Sequence, residues 1–194
     1  MKKSLSGVKI TKEMRSAAKI EARKRESKIK HHFMPSHTTI DKTNEYGFLG
    51  EFCFCNLLGI DWRQNIRSSY DTIDTYDLVY RGSKFDVKTE TVPKKYAIKI
   101  LQRTIRDDEI FGRRLYSEGQ FQLLKKYDYV AFGLIIREEE NAWYPIGFSS
   151  AKYIETNYLP TTSRPDGGTY PSSGAPVKTS KLLSINEVHN LKIV

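Results

Sequence analysis

The 194-residue sequence predicts a single α/β domain, in which helices and strands pack around one hydrophobic core. Three stretches indicate this class: a helical pattern in TNEYGFLGEFCFCNLLG (43–59), a hairpin in YDLVYRGSKFDVKTE (76–90) and an apolar strand in YDYVAFGLII (127–136). A hydrophobic content of 39% with 28% charged residues is typical of such a domain. No stretch approaches the roughly 18 apolar residues of a membrane span, so we expect no membrane partner.

Basic residues are concentrated at the start of the chain. Residues 1–32 contain eleven Lys and Arg against three Glu, whereas the remainder is nearly neutral within a net charge of +9. Residues 9–30 are rich in Ala, Lys, Arg and Glu, which favours a helix. We therefore expect residues 1–36 to form a basic helical N-terminal arm that tracks a polyanion, and 37–194 to form a single domain. A solvated helix without a partner is the alternative.

The chain begins with a basic stretch that has no apolar segment behind it, so we expect no secretory signal and a cytoplasmic protein. Cys53 and Cys55 lie two residues apart on the predicted helix and point to different faces, which is unfavourable for a mutual disulfide. They are predicted to be small buried side chains in a reducing compartment.

The predicted elements follow in order from Thr43. Apolar residues at Phe48, Phe52, Cys55 and Leu58 have the spacing of a helix that buries one face, and Gly59 suits its end. After the 76–90 hairpin, YAIKIL (96–101) is predicted as a further strand. Residues 102–126 are charged and predicted to be helical towards EGQFQLLKK.

The second half continues with the strand at 127–136 and NAWYPIGF (141–148) as its hairpin partner. SSAKYIETNY is predicted as a short helix capped by Ser149 or Ser150. Residues 160–180 contain four of the seven prolines and lack periodicity, so they are predicted to be a flexible loop, disordered or functional. Near the end, Ser184 and Glu187 have the spacing of a capping box.

The hairpin at 76–90 brings charged residues together. Gly82-Ser83 is expected to be its two-residue loop, which makes Leu78 face Val87 and Asp77 face Lys88. Because side chains alternate along a strand, one face is wholly apolar: Leu78, Tyr80, Phe85 and Val87. The other face carries Asp77, Val79, Arg81, Lys84, Asp86 and Lys88.

In this register Asp77 lies opposite Lys88 and diagonal to Asp86, at Cβ separations of about 5 and 7 Å. Mg²⁺ takes oxygen ligands and typically binds through one or two carboxylates plus substrate phosphate. A neighbouring lysine can hold the attacking water and stabilise the charge that develops on the phosphate. The alternative for the same residues is a solvated strand face with one cross-strand ion pair.

Taken with GFLGE on the preceding helix, the later strand YDYVAFGLI and the following WYPIGF, this acid, hairpin and DVK pattern resembles the PD-(D/E)xK nuclease superfamily. The resemblance covers roughly residues 43–150. It implies a three-layer α/β/α sandwich around a mixed β-sheet, with a restriction-endonuclease-like core. It also implies hydrolysis of nucleic-acid phosphodiester bonds with Mg²⁺ or Mn²⁺ as cofactor.

By this resemblance Asp77 and Asp86 bind the metal, Val87 lends its carbonyl, Lys88 assists the attacking water and Glu51 completes the site. Tyr76 precedes Asp77 where the family pattern has proline, which lowers the specificity of the motif. Two further acids, Asp71 and Asp74, lie nearby and are alternatives to Asp77 if the strand is offset.

DNA is the expected partner, either duplex or branched, and a homodimer is left open. Basic side chains are predicted to contact its phosphates; they are Lys24, Arg25, Lys28, Lys30, Lys94, Lys95, Lys99, Arg103, Arg106, Arg113 and Arg114. Gln120 and Gln122 are candidates to orient the substrate or a metal-bound water. A DNA-binding protein of the same fold that does not cleave is the alternative, and restriction, junction-resolving, repair and phage roles are not separated by the sequence.

Overall fold

The computed structural model describes residues 6–26, 40–67 and 76–191. The helices are α1 (Lys12–Glu26), α2 (Ile40–Leu57), α3 (Lys94–Leu101), α4 (Glu118–Phe121) and α5 (Ala151–Asn157). The strands are β1 (Val8–Lys9), β2 (Leu78–Tyr80), β3 (Ser83–Val92), β4 (Arg113–Ser117), β5 (Tyr129–Ile136), β6 (Ala142–Ser150), β7 (Thr161–Ser163) and β8 (Thr169–Lys178). Within these ranges, no helix has the length and apolar character needed to cross a membrane.

A five-stranded mixed sheet is the centre of the molecule. Its strand order is β1-β6-β5-β3-β2, in which β3 and β5 are parallel and the other neighbours are antiparallel. Along β5, Ala131 and Ile135 join the core beneath α1 and α2, whereas Val130, Phe132 and Leu134 join a second core on the opposite face. The sheet is therefore the middle layer of a mixed α/β structure, as the class prediction required.

Helix α2 lies between α1 and the sheet. The predicted apolar stripe is confirmed, but Leu49, Cys53 and Phe54 are also fully buried, because α2 contacts both α1 and the sheet, where Phe54 packs on Phe85 and Trp143. Both cysteines are buried and free, as expected. Gly50 allows the close approach to β3, since a Cβ there would lie 1.7 Å from the Thr89 hydroxyl oxygen.

The described part of the basic N-terminal segment is packed on this core. Strand β1 pairs with β6 at the edge of the sheet, and α1 buries Met14, Ala18 and Ala22 against its neighbours. Residues 8–26 are therefore integrated with the rest of the molecule. The predicted arm outside 6–26 lies beyond the described residues.

The predicted hairpin is present, but its predicted register is wrong by two residues. The turn is Arg81-Gly82, with φ of 51° and 82°, and Leu78 faces Phe85. Two central residues with positive φ are typical of the type I′ turn, which matches the twist of paired strands. An even shift leaves every side chain on its predicted face, but it removes the predicted pairing of Asp77 with Lys88.

Other elements divide into confirmed and wrong predictions. Strands β5 and β6 form the predicted hairpin, and the Ser150 hydroxyl caps α5 by accepting from Tyr153 N–H at 3.1 Å. Glu187 accepts from Ser184 N–H at 2.9 Å, as in the predicted capping box. Residues 96–101 are not a strand: they belong to α3, which buries Ala97 and Ile100 at helical spacing.

The second sheet was not predicted. Strands β4, β8 and β7 pair in that order, and β7 and β8 together occupy most of the 160–180 stretch that was predicted to be a flexible loop. Ala175 and Val177 are fully buried on it and supply the apolar contacts that hold the strand. Strand β4 likewise replaces part of the helix expected within 102–126.

Candidate functional site

The candidate site lies at the first residue of β2, beyond which the longer β3 continues. Strand β2 pairs only with Ser83–Phe85, so the next stretch of β3 has an edge that β2 does not cover. Asp77, just before β2, reaches across this gap: its Oδ2 accepts from Val87 N–H at 2.7 Å. A carboxylate thereby takes the place of a strand partner and is fixed beside the DVK segment.

Glu51 approaches the same place from α2. Glu51 is 4% exposed, and its Oε2 accepts from Asn65 Nδ2 at 2.9 Å and from Arg67 Nη2 at 3.2 Å. The same Arg67 nitrogen lies 3.2 Å from Asp77 Oδ1. One guanidinium group therefore links the carboxylate of the helix to that of the hairpin.

Asp86 and Lys88 project from the face of β3 that points away from α2. Lys88 Nζ lies 2.7 Å from Asp86 Oδ1 and 5.3 Å from the ring centre of Tyr116 on β4. Asp86 is 3% exposed, and its other oxygen, Oδ2, makes no hydrogen bond to a described residue. The lysine is therefore held by an ion pair and an aromatic face, while the Tyr116 hydroxyl, which stabilises the Asp86 carboxylate, is too poorly aligned for a full hydrogen bond to its buried oxygen.

Burial and mutual repulsion act on these acids. Burial, and then the charge of Asp77, raises the pKa of Glu51 to about 8, against the opposing effect of Arg67. Burial also raises the pKa of Asp86 to about 6, although the Lys88 charge opposes it. The pKa of Tyr116 is raised by burial and by the Asp86 charge. The cluster thus resists full ionisation in the absence of further positive charge.

The structure brings the predicted site residues together. Glu51, Asp77, Asp86 and Lys88 influence one another electrostatically, and Val87 binds Asp77 through its N–H. Sequence reasoning missed three contacting residues: Asn65, Arg67 and Tyr116. None of these follows a spacing rule, because each reaches the site from a separate segment. Asp71 and Asp74 lie outside the described residues.

The donor atoms suit a hard divalent cation. Mg²⁺ and Mn²⁺ prefer carboxylate and carbonyl oxygens, and the buried Asp86 Oδ2 is an acceptor that no described donor satisfies. Within the described ranges, no three His, Cys, Asp or Glu side chains form a ready metal-binding group. Arg67 contacts two of the three carboxylates in this structure. The residues therefore fit such an ion by chemistry.

The predicted DNA-contacting side chains have different environments. Those on the surface are Lys24, Lys94, Lys95, Lys99 and Arg106. Most of them pair with a nearby acid, for example Lys94 with Glu139 at 2.8 Å and Lys99 with Glu109 at 2.7 Å. Their positive charge is therefore partly balanced locally.

Two of the predicted DNA contacts are engaged inside the protein. Arg114 is 1% exposed and forms an ion pair with Glu90, and Arg103 donates to the carbonyl oxygens of Ile146 and Thr179. Both guanidinium groups are therefore held by contacts within the protein, that of Arg114 in the core and that of Arg103 at the surface. Arg113 Nε donates to the Asp107 carbonyl at 3.0 Å.

The remaining predicted contacts lie in the N-terminal segment. Arg25 is partly buried, and its charge lowers the pKa of Glu51, which places it near the carboxylate cluster. Lys28 and Lys30 are outside the described part of the chain.

Glu51 and Asp77, linked by Arg67, thus lie at an uncovered strand edge near the Asp86–Lys88 pair, and their oxygens are of the kind that hard divalent cations prefer. Comparisons of the chain with protein-family models, with curated proteins and with solved structures return no match.

Proposed function

We propose that this protein is a metal-dependent endonuclease that hydrolyses DNA phosphodiester bonds, on a restriction-endonuclease-like core of the PD-(D/E)xK type. The observation that carries the proposal is the 2.7 Å bond from Val87 N–H to Asp77, which fixes one acid beside the Asp86–Lys88 pair. Glu51 joins the same cluster through Arg67. Two acids, a lysine and a helix-borne glutamate are the parts this chemistry needs.

The metal in this proposal is Mg²⁺ or Mn²⁺, held by Asp77 and Asp86, with the Val87 carbonyl and Glu51 completing the set. When bound, the ion lowers the pKa of a water and neutralises charge on the phosphate. Lys88 donates a hydrogen bond to the attacking water, and Asp86 Oδ1 keeps the ammonium in place. The Tyr116 ring lies beside the ammonium and adds a cation–π contact to it.

The substrate surface in this proposal consists of the exposed lysines and of Arg106, and not of Arg103 and Arg114, whose guanidinium groups are held by other parts of the protein. Lys95 is exposed and lies over the Tyr96 ring, without an ion pair to any described residue. Such side chains contribute affinity for phosphates without choosing a sequence. Duplex or branched DNA is the proposed partner.

The test is nicking of supercoiled plasmid by the full chain with Mg²⁺, Mn²⁺ or EDTA. We expect ion-dependent nicking that falls by at least about 100-fold in Lys88→Ala and in Asp86→Asn. Lys84→Ala is the matched control: it removes a lysine that is also two residues from Asp86 on the same face of β3, but that lysine is exposed, lies over the Tyr76 ring and forms no ion pair with a described residue.

Equal losses in Lys84→Ala and Lys88→Ala would contradict a specific role for Lys88. Nicking that persists in both site variants would refute the site. DNA retention that is equal with and without the ion, with no nicking under any condition, would instead support the non-cleaving DNA-binding protein.

A further inference from the structure

A pocket of about 320 Å³ opens next to Lys88, between the five-stranded sheet and the three-stranded sheet. Its walls include Lys88 and Glu90 from β3, Arg114 from β4, Phe132 from β5, Pro171 from β8 and Gln120 from α4. This volume is at the lower end of the range of small-ligand sites, roughly 300–1,000 Å³. The pocket is therefore large enough for one part of a substrate and is continuous with the candidate site.

The charges around this pocket are balanced in pairs. Arg114 is paired with Glu90, and Lys88 is paired with Asp86. A phosphate entering here would have to draw a cation away from its own carboxylate, and it would lie beside Glu90. A neutral ligand avoids both costs, because it leaves the ion pairs intact.

Hydrogen-bonding capacity nevertheless remains in the walls. The buried Nε of Arg114 has no hydrogen-bond partner among the described residues. No hydrogen bond joins the Gln120 side chain to the described residues either, and it lines the same pocket. A buried donor without a partner is costly, so a ligand that supplies an acceptor would be favoured. The pocket thus suits a ligand with a polar edge.

The other walls are apolar. Phe132, Leu115 and Pro171 line the pocket beside these polar groups. A flat ring with a polar rim satisfies both kinds of wall, because its faces contact the apolar residues while its edge forms hydrogen bonds. Guanidinium, carboxylate and amide groups are also the side chains that read base edges in nucleic-acid complexes.

From this geometry we infer that the pocket binds a single unpaired nucleobase, with guanine preferred. Guanine presents acceptors, O6 and N7, to a guanidinium group and donor N–H groups to a carboxylate, which matches Arg114 and Glu90. The inference rests on the proposed function in one respect: it places the base beside the phosphodiester bond that Lys88 serves. The substrate is then DNA with an unpaired or extruded nucleotide at the site of cleavage.

The test measures base binding without cleavage. Deoxyguanosine, deoxyadenosine, deoxycytidine, thymidine and inorganic phosphate are titrated separately into the metal-free full chain, with saturation-transfer NMR as the readout. We expect deoxyguanosine to bind with a dissociation constant on the order of 1 mM, the other nucleosides to bind more weakly, and phosphate neither to bind nor to compete.

Two variants locate the binding. Ser172→Phe fills the pocket from β8 and should weaken deoxyguanosine binding at least tenfold, whereas Gln120→Ala should weaken it a few-fold. Ser163→Phe is the control, since Ser163 is an exposed residue of β7, in the same sheet, and does not line the pocket. Thermal unfolding of each variant checks that it is folded.

The inference is overturned if no nucleoside binds, if Ser172→Phe and Gln120→Ala bind as the native chain does, or if phosphate displaces deoxyguanosine. These outcomes are separate from the plasmid experiment. A chain that nicks DNA but binds no nucleoside would refute the base pocket alone. A chain that binds deoxyguanosine at this pocket but never nicks would refute the nuclease and keep the pocket.

Discussion

Asp86 and Glu90 lie on the same face of β3, but their surroundings differ in the balance between negative and positive charge. Asp86 belongs to a cluster in which three carboxylates, including Glu51 and Asp77, meet two contacting cations, Arg67 and Lys88. Four residues further along, Glu90 meets Arg114 as a single pair. We call these the acid cluster and the balanced pair.

The difference shows where an external ligand is needed. In the acid cluster, burial raises the pKa of both Glu51 and Asp86 despite the nearby cations, so it gains from an added cation. The balanced pair already has its counter-ion, so it gains from hydrogen bonds and not from charge. The proposed metal site and the proposed base pocket follow from this contrast.

The largest effect is expected from breaking the balanced pair. Arg114→Met should lower the free energy of unfolding by roughly 2–3 kcal/mol, because it removes a fully buried side chain and leaves the partly exposed Glu90 without its partner. The double variant Arg114→Met/Glu90→Gln should recover part of this loss, since no unpaired charge remains. Urea unfolding measures both. A double variant less stable than Arg114→Met would show that the pair acts by packing and not by charge.

The next effect is the pH dependence of the metal-free protein. Glu51 and Asp86 have folded-state pKa values of about 8 and about 6, above those of the unfolded chain. At a pH between the unfolded-state and the folded-state pKa of either group, the folded state therefore holds more protons than the unfolded state. Stability should therefore fall as the pH rises from about 5 to about 8.

Glu51→Gln resembles the protonated acid and should make this decline shallower. The measurement is urea unfolding at half-unit pH steps for the native chain and the variant in EDTA. A stability that rises with pH over this interval would contradict the raised pKa of the cluster, and an identical slope in both proteins would assign the effect to other groups.

A smaller effect is expected at Arg67, the cation that links Glu51 to Asp77. Arg67→Gln frees two carboxylates that the proposed metal ion would use, so Mn²⁺ at pH 8 should bind several-fold more tightly, up to about tenfold, or about 1.4 kcal/mol. The readout is the shift of the unfolding temperature in an Mn²⁺ titration, which needs no cleavage. Arg63→Gln is the control, since Arg63 is exposed and pairs with Glu13 and Asp61 instead. Weaker Mn²⁺ binding in Arg67→Gln would show that the guanidinium organises the carboxylates for the ion.

The elements that could be predicted are those whose hydrophobic pattern lies within their own segment of the sequence. The apolar run of β5 and the buried face of α2 determine those elements within their own segments. The faces of the 76–90 hairpin were also predictable, because side-chain alternation is preserved under a shift of two residues. Asp77, Asp86 and Lys88 therefore lie close together even though the turn was predicted at the wrong residues.

The parts that were missed depend on contacts between distant segments. Strand β8 is rich in Gly, Pro and Ser, and it is held by pairing with β4 about 60 residues earlier, from Arg113↔Lys178 to Ser117↔Gly174. Arg114 was predicted to contact DNA because its charge is visible in the sequence, whereas its ion pair with Glu90 is not. Arg67 and Tyr116 enter the site in the same way, through packing that no spacing encodes.

The smallest effect tests the contrast between balanced and unbalanced charge on the surface of α3. Lys94 pairs with Glu139, whereas its neighbour Lys95 has no ion pair to a described residue. A lysine that is already paired must give up its carboxylate to bind a phosphate, so it releases fewer counterions from DNA. Lys95→Ala should weaken DNA binding two- to three-fold, roughly 0.5 kcal/mol, and reduce the slope of log affinity against log salt by about 1. Lys94→Ala should change both quantities less. Fluorescence anisotropy between 50 and 200 mM salt compares the two variants, and equal effects would mean that local pairing does not decide which lysines contact DNA.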